Sequence, residues 1–425
     1  MKQPIAIVLG LGFGDEGKGS IVDWLIRQRA PRGDGLVVRY NGGAQAAHHV
    51  ISPEGRTHCF AQLGAGSLVR GTRTHIGPGV IVDPLALHIE SAAIAQAGIP
   101  RALERVTIDP RAVIVTPWHA LINRLREHLR GHDRHGSTGR GIAEAELDAE
   151  RGLPTVRAED AADPHRLRRA LNLVRLTKID QAEQLVGTSH PLLTQLTETP
   201  VDPVASGIEG LFEHGRARLT HALPQASFIV LEGAQGILLD RDHGFFPHVA
   251  TTRGTRAFAE SALASFGLAD HPREAWGVLR AYHTRHGDGP FPTADDTWRT
   301  HLPEPHNGEG PWQGAFRVGP LDMVLARHAL SRTGPIDRLV INAVDRLEEL
   351  PSPPSLCEAW TLGDSVLRTL PDAPPPTLTE LAFKASPNYM TTTPDAFISR
   401  VELELERPVD LIGRGPRADQ KKLVR

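Results

Sequence analysis

Along the chain, short β-branched runs that end in glycine alternate with longer stretches of helical spacing. Residues 5–9 are a run of buried-strand type that stops at a glycine cluster, and residues 21–26 then show helical apolar spacing. Residues 36–39 are a second strand, again followed by glycines, Gly42 and Gly43. The same reading predicts helices over 115–130 and 164–186, and strands over 227–231, 276–282 and 338–341. Strands that run repeatedly into polar, glycine-bearing loops predict an α/β fold. The expected architecture is a large, mostly parallel central sheet flanked by helices, with a P-loop-like nucleotide site and smaller subdomains. Open sheets of this kind hold ligands at the carboxyl ends of their strands. No internal repeat is found. Residues 132–152, rich in Gly, Arg, Asp and Glu, predict a mobile surface loop. Proline-rich stretches at 351–354 and 371–376 bracket a surface excursion over about 351–377. Residues 1–425 are read as a single domain carrying these two insertions.

Composition sharpens the class. A hydrophobic share of 40% spread over 425 residues provides a sizeable core. The net charge of -3 gives no general attraction to nucleic acid or membrane, and neither is expected as a partner. The two cysteines, Cys59 and Cys357, have no metal-type spacing, which predicts no disulfide framework and fits a reducing cytoplasm. No apolar run reaches the roughly 18 residues of a membrane span. The N-terminal apolar run lacks a basic lead and reads as a strand, not a signal peptide.

The sharpest motif is Gly12-Phe13-Gly14-Asp15-Glu16-Gly17-Lys18-Gly19. It fits G-x-x-x-x-G-K and then departs, because Gly19 stands where a Ser or Thr would bind Mg²⁺. The loop amides and Lys18 remain able to hold phosphate oxygens at a helix N-terminus. Asp15, inside the loop, is the candidate replacement as metal ligand, or alternatively a general base towards the group receiving phosphate.

Other segments carry weaker signals. The loop 39–49 brings adjacent His48 and His49 into a small-residue setting, suited to a general acid or to an ordinary surface loop. Gly136-Ser137-Thr138-Gly139-Arg140-Gly141 suits a monophosphate and equally a flexible linker. Glu232-Gly233-Ala234-Gln235-Gly236 follows a strand. Asp345 follows another; its carboxylate suits the N1–H and 2-amino group of guanine, or it is a surface Asp beside Arg346.

Taken in order, these segments resemble the adenylosuccinate synthetase family. Gly287-Asp288-Gly289-Pro290-Phe291-Pro292-Thr293, Gly319-Pro320-Leu321-Asp322 and Gly415-Pro416 extend the resemblance over nearly the whole chain. It implies a GTP-dependent carbon–nitrogen ligase that phosphorylates the 6-oxygen of IMP and lets aspartate displace the phosphate. By the same resemblance Asp15 is base and Mg²⁺ ligand, with the carbonyl of Ala47 a second ligand. His48 is general acid, Lys18 holds phosphate, and Gln235 contributes to catalysis and to acceptor binding. Gly14, Glu16, Gly17, Lys18, Gly19, Asp345, Gly415 and Pro416 map to the GTP site. Gln45, Thr138, Gly139, Arg151 and Thr251 map to the acceptor nucleotide, and Arg317 and His286 to the amine donor. A homodimer with an arginine crossing between subunits is also implied.

Departures cluster away from the GTP phosphates. The family's T-T-G-R-x-R-R loop is here 310–319, where only Arg317 matches, although a dicarboxylate favours arginine forks. Gln45 replaces an Asn, Ala47 a Gly, Ala250 a Thr and Ala343 a Lys. Glu150-Arg151 stands where two arginines are expected, in a loop about two residues shorter than the family's. The resulting expectation is a divergent member with a changed amine donor or acceptor. One alternative is a synthetase for a dGMP-like acceptor, against which the intact Asp15 argues. Another is a GTP-binding regulator that has lost catalysis.

Overall fold

The computed structural model describes residues 3–131, 134–304, 307 and 314–425. Ten strands form the main sheet. From one edge they run Arg218–Leu219, Val106–Ile108, Arg73–Ile76, Gly35–Arg39, Phe228–Glu232, Ile5–Gly10, Arg273–Arg280, Arg338–Asn342, Leu411–Gly413 and Lys421–Leu423. Every neighbouring pair is parallel except the last. The central strands carry apolar residues at almost every position because both sheet faces are covered. In Ile5–Gly10, Ala6 and Val8 join the core on one face, and Ile5, Ile7 and Leu9 join the core on the other. Deep burial of this kind fixes the register, since a slip by one residue would exchange the two faces.

The expected elements appear close to their expected limits. The helices are Lys18–Arg29, Pro117–Arg130 and Pro164–Val186. Proline opens the last two, where its missing N–H costs nothing, and Asp163 caps the third through the amides of His165 and Arg166. The run read as one strand over 276–282 divides into Arg273–Arg280 and Tyr282–His286. The first half lies in the main sheet. The second pairs with Phe316–Asp322 in a separate five-stranded sheet.

Two expectations need correction. Within 132–152, residues Ile142–Glu150 are a helix, with Ile142 and Ala145 packed on Ile81, Val113 and Val115. Its buried stripe is too small to show as helical periodicity; the Ala and Glu content, both strong helix formers, was the available signal. Residues 132 and 133 lie outside the described residues. The region 351–377 is an excursion only in its second half, from residue 363 on, which is largely exposed. Ser355–Leu362 is a strand of the second sheet whose Leu356, Cys357 and Trp360 are buried.

Candidate active site

The phosphate loop joins Ile5–Gly10 to the helix Lys18–Arg29, at the carboxyl edge of the main sheet. Glu16 folds into the loop. Its Oε1 accepts the amides of Gly12 (2.8 Å) and Gly14 (2.9 Å), and its Oε2 takes the Lys18 ammonium at 2.6 Å. Lys18 also donates to the Gly14 carbonyl at 2.7 Å. Glu16 therefore braces the loop from within, and its carboxylate is committed there. Asn342, at the end of a strand two places along the sheet, donates to the Glu16 carbonyl at 2.9 Å.

The structure explains Gly19. A Cβ there would stand 2.7 Å from the Cβ of His48, so a hydroxyl-bearing residue at this place would push the His48 strand away. Gly19→Ser should cost about 1–3 kcal/mol of stability by overpacking and lower turnover by displacing His48. Thermal melting and steady-state rates check this. A variant with unchanged melting and rate would show that His48 does not require a glycine there.

A cavity of about 310 Å³ opens over this loop. Of the residues assigned to GTP and metal, Gly14, Asp15, Glu16, Gly17, Lys18 and Gly19 line it on one side, together with Ala47 and His48. Asp345, Gly415 and Pro416 line it as well. Asp345 Oδ1 is buried without a hydrogen-bond partner among the described residues, as a carboxylate reserved for a ligand's N–H would be. Lys421 donates to the Gly415 carbonyl at 2.6 Å, and burial pulls its pKa down to about 8. Asp345→Asn should erode the preference for GTP over ATP by about 1–3 kcal/mol, the cost of a polar mismatch. Competition binding of the two nucleotides measures it; an unchanged ratio would remove Asp345 from guanine recognition.

His48 is buried beside Glu232, with Nδ1 at 2.5 Å from Glu232 Oε1. Glu232 Oε2 accepts the Ala65 amide at 2.9 Å. Burial pulls the His48 pKa below its ordinary value, against the upward pull of Glu232. Burial would raise Glu232, but the charges of Arg39 and His48 outweigh it and keep the carboxylate ionised. With Nδ1 held by Glu232, the ring orientation is fixed and Nε2 is the nitrogen left for a ligand. In the sequence Glu232 stands out only as part of a glycine-rich segment; its pairing with His48 spans 184 positions.

A second cavity, of about 270 Å³, lies alongside. Gln45, Thr138, Gln235, Thr251 and His286 line it. Two residues assigned to the acceptor do not. The carbonyl of Gly139 accepts from Arg124 Nε at 3.0 Å, and Arg151 is exposed at the end of Ile142–Glu150. Arg317 braces the neighbouring turn by donating to the carbonyls of Gly287 and Gly289, while its Nε is buried without a partner. Residues 310–313 of the divergent loop lie outside the described residues.

Asp15 and His286 tie the two cavities together. His286 Nε2 is 3.5 Å from Asp15 Oδ2; Asp15 lines the first cavity and His286 the second. Burial would raise the Asp15 pKa, but His286, Arg280 and Lys18 together hold it below the usual carboxylate value. The first cavity thus presents an ionised carboxylate to a ligand's phosphates, and Ala47, whose carbonyl the resemblance assigns to the metal, is among its lining residues. Mg²⁺ is commonly held by one or two carboxylates plus substrate phosphates, and this oxygen donor set fits it. Among the described residues no cluster of three or more His, Cys, Asp or Glu forms a metal cage of its own.

The family model described as adenylosuccinate synthetase matches residues 7–422. The chain belongs to the adenylosuccinate synthetase family. Its members are GTP-dependent ligases. The adenylosuccinate synthetase of Azotobacter vinelandii is 32% identical over 438 residues, covering 99% of this chain and 98% of that one. That of Pseudomonas entomophila is 31% identical, with the same coverage. Among solved structures, fully ligated adenylosuccinate synthetase from Plasmodium falciparum matches with a TM-score of 0.77 at 20% identity, over 99% of both chains. Cyanophage S-2L succinoaminodeoxyadenylate synthetase, bound to dGMP and to dATP as an energy donor, matches with a TM-score of 0.62 at 18% identity, over 100% of this chain and 96% of that one. The two structures support the fold; the sequence relatives support the family. No described helix is long and apolar enough to cross a membrane.

Proposed function

We propose that this chain phosphorylates the 6-oxygen of a purine-type acceptor with GTP and lets an amine displace that phosphate. The pair of cavities joined at Asp15 and His286 is the observation that carries this reading. One cavity takes the triphosphate, and the other takes the group that receives it. IMP and L-aspartate are the reference acceptor and amine that the family resemblance implies, and a homodimer is the reference assembly.

In the first step the Asp15 carboxylate takes the proton from N1 of the acceptor. The electron pair moves onto the 6-oxygen, which attacks the γ-phosphorus as the bond to the GDP oxygen breaks. Lys18 sits where its charge balances that transfer, and His48, oriented by Glu232, donates towards the γ-phosphate through Nε2. Anionic phosphates arriving at Nε2 favour the charged ring and so oppose the effect of its burial. Mg²⁺, held by Asp15 and the Ala47 carbonyl, would neutralise phosphate charge when bound. In the second step the amine's lone pair forms the bond to the ring carbon, phosphate leaves, and the amine gives up a proton. An oxo group leaves poorly; its phosphate ester leaves well.

A second reading, a changed acceptor or amine, is favoured by the carboxylates Glu127, Glu144 and Asp288 on the wall of the acceptor cavity. Phosphate release from GTP, assayed with purine acceptors with and without amines, tests both readings. Release at ordinary rates with IMP and aspartate would remove the second. No release with any combination would remove ligase chemistry altogether.

A further inference from the structure

Behind one wall of the acceptor cavity lies a buried polar chain that the proposed chemistry does not use. It joins three helices, Pro117–Arg130, Ile142–Glu150 and Pro164–Val186. Lys178, on the third, is buried and reaches Asp148 on the second, at 2.6 Å from Oδ2 and 2.8 Å from Oδ1. Asp148 Oδ2 also lies 3.2 Å from Nε2 of the buried His119, on the first. The Thr116 amide donates to His119 Nδ1 at 3.1 Å, so that nitrogen carries no proton and Nε2–H donates to Asp148. Burial lowers the His119 pKa and keeps the ring neutral. Burial would raise the Asp148 pKa, but His119 and Lys178 together outweigh it. The chain is thus one cation, one anion and one neutral ring, each from a different helix.

Two of these helices also build the wall. Asn123 and Glu127 line the cavity from the first, and Ala143, Glu144 and Leu147 line it from the second. Between the two helices runs the loop that carries Thr138, and the first helix holds it. Ser137 donates to Asn123 at 3.1 Å, and Arg124 donates to the Gly139 carbonyl at 3.0 Å. Gly141 packs so closely on the same helix that a Cβ would stand 2.4 Å from the His119 backbone. Asp148 closes this bracket one turn beyond Glu144. A buried ion pair adds little stability over apolar packing of the same volume, and its best-attested use is to fix a single arrangement. We propose that Lys178, Asp148 and His119 are positioning residues for the acceptor: they fix the second helix against the first and so set where Thr138 and the cavity wall stand. The proposal rests on the ligase reading above and adds to its acceptor site three residues that do not touch the ligand.

The test measures two affinities on the full chain with Mg²⁺ present: that of a non-hydrolysable GTP analogue, and that of IMP, or of dGMP where IMP does not bind, with the analogue bound. Two variants are compared with the native protein. Lys178→Met with Asp148→Leu removes both charges at similar volume, a change that folds commonly tolerate. His119→Leu leaves the Lys178–Asp148 pair whole and frees only the link to the first helix. Misplacing site groups by about 1 Å costs on the order of 10², so the smaller shift expected here should weaken the acceptor about tenfold in the double variant. His119→Leu should weaken it in the same direction. The GTP analogue should bind both variants as it binds the native chain, a split that a general loss of structure would not produce. Unchanged acceptor binding in either variant that still binds the analogue overturns the proposal and leaves the ligase reading standing. Parallel loss of both ligands in both variants overturns it too, because the chain would then serve the fold as a whole. Binding of neither IMP nor dGMP to the native chain overturns the purine-ligase reading, and this proposal falls with it.

Discussion

Asp15→Asn should cut turnover by about 10²–10⁴, the usual contribution of a positioned general base, while GTP binding changes far less. The side chain keeps its shape and loses its charge. Lys18 and the loop backbone, to which we assign the triphosphate, are untouched, and Glu16 still braces the loop through Gly12 and Gly14. Asp15 stays ionised because His286, Arg280 and Lys18 surround it, so it is ready to accept a proton near neutral pH. Stopped-time assays of GDP formation, paired with direct GTP binding, separate the two effects. Near-normal turnover in this variant would mean that some other group takes the acceptor's proton.

The second large effect belongs to His48 and Glu232. His48→Ala should lower kcat by about 10²–10⁴ through loss of the acid. Glu232→Gln should lower kcat as well, because the ring loses the carboxylate that fixes its orientation and favours its charged form. Glu232→Gln also removes a buried negative charge that interacts electrostatically with Arg39, so some loss of stability should accompany the loss of turnover. The catalytic effects should not add, since both residues act through one imidazole. The double variant should therefore turn over no more slowly than His48→Ala alone. Additive losses in kcat would show that Glu232 acts on the reaction separately from His48.

How much of this was legible depended on distance along the chain. The central strands were readable because both sheet faces are buried, which leaves runs such as residues 5–9 and 338–341 almost wholly apolar. The phosphate loop was readable because its chemistry is local: seven peptide units between a strand and a helix. Its inner logic was not. Nothing in the order Glu16-Gly17-Lys18 tells whether Glu16 faces a ligand or folds back, and the structure folds it back. Gly19 read as a missing hydroxyl, and the reason lay in His48, which reaches it only through tertiary packing. Glu232 and His48 meet across the sheet edge, with the former at the end of one strand and the latter opening a hairpin. Ile142–Glu150 was missed because only one small cluster buries it. That helix also brings Ile142, Ala143, Glu144 and Leu147 to the wall of the acceptor cavity, so a poorly legible element still helps to shape the site.

The most direct test of the central claim follows the acceptor's own oxygen. A 6-oxopurine labelled with heavy oxygen at the 6-position is incubated with the full chain, GTP, Mg²⁺ and an amine, and the released phosphate is analysed by mass. Phosphorylation of the 6-oxygen predicts that the label leaves the purine and appears in inorganic phosphate, one labelled oxygen for each carbon–nitrogen bond formed. Released phosphate without the label, with the purine retaining its heavy oxygen, would mean that water received the phosphoryl group, and would contradict the account.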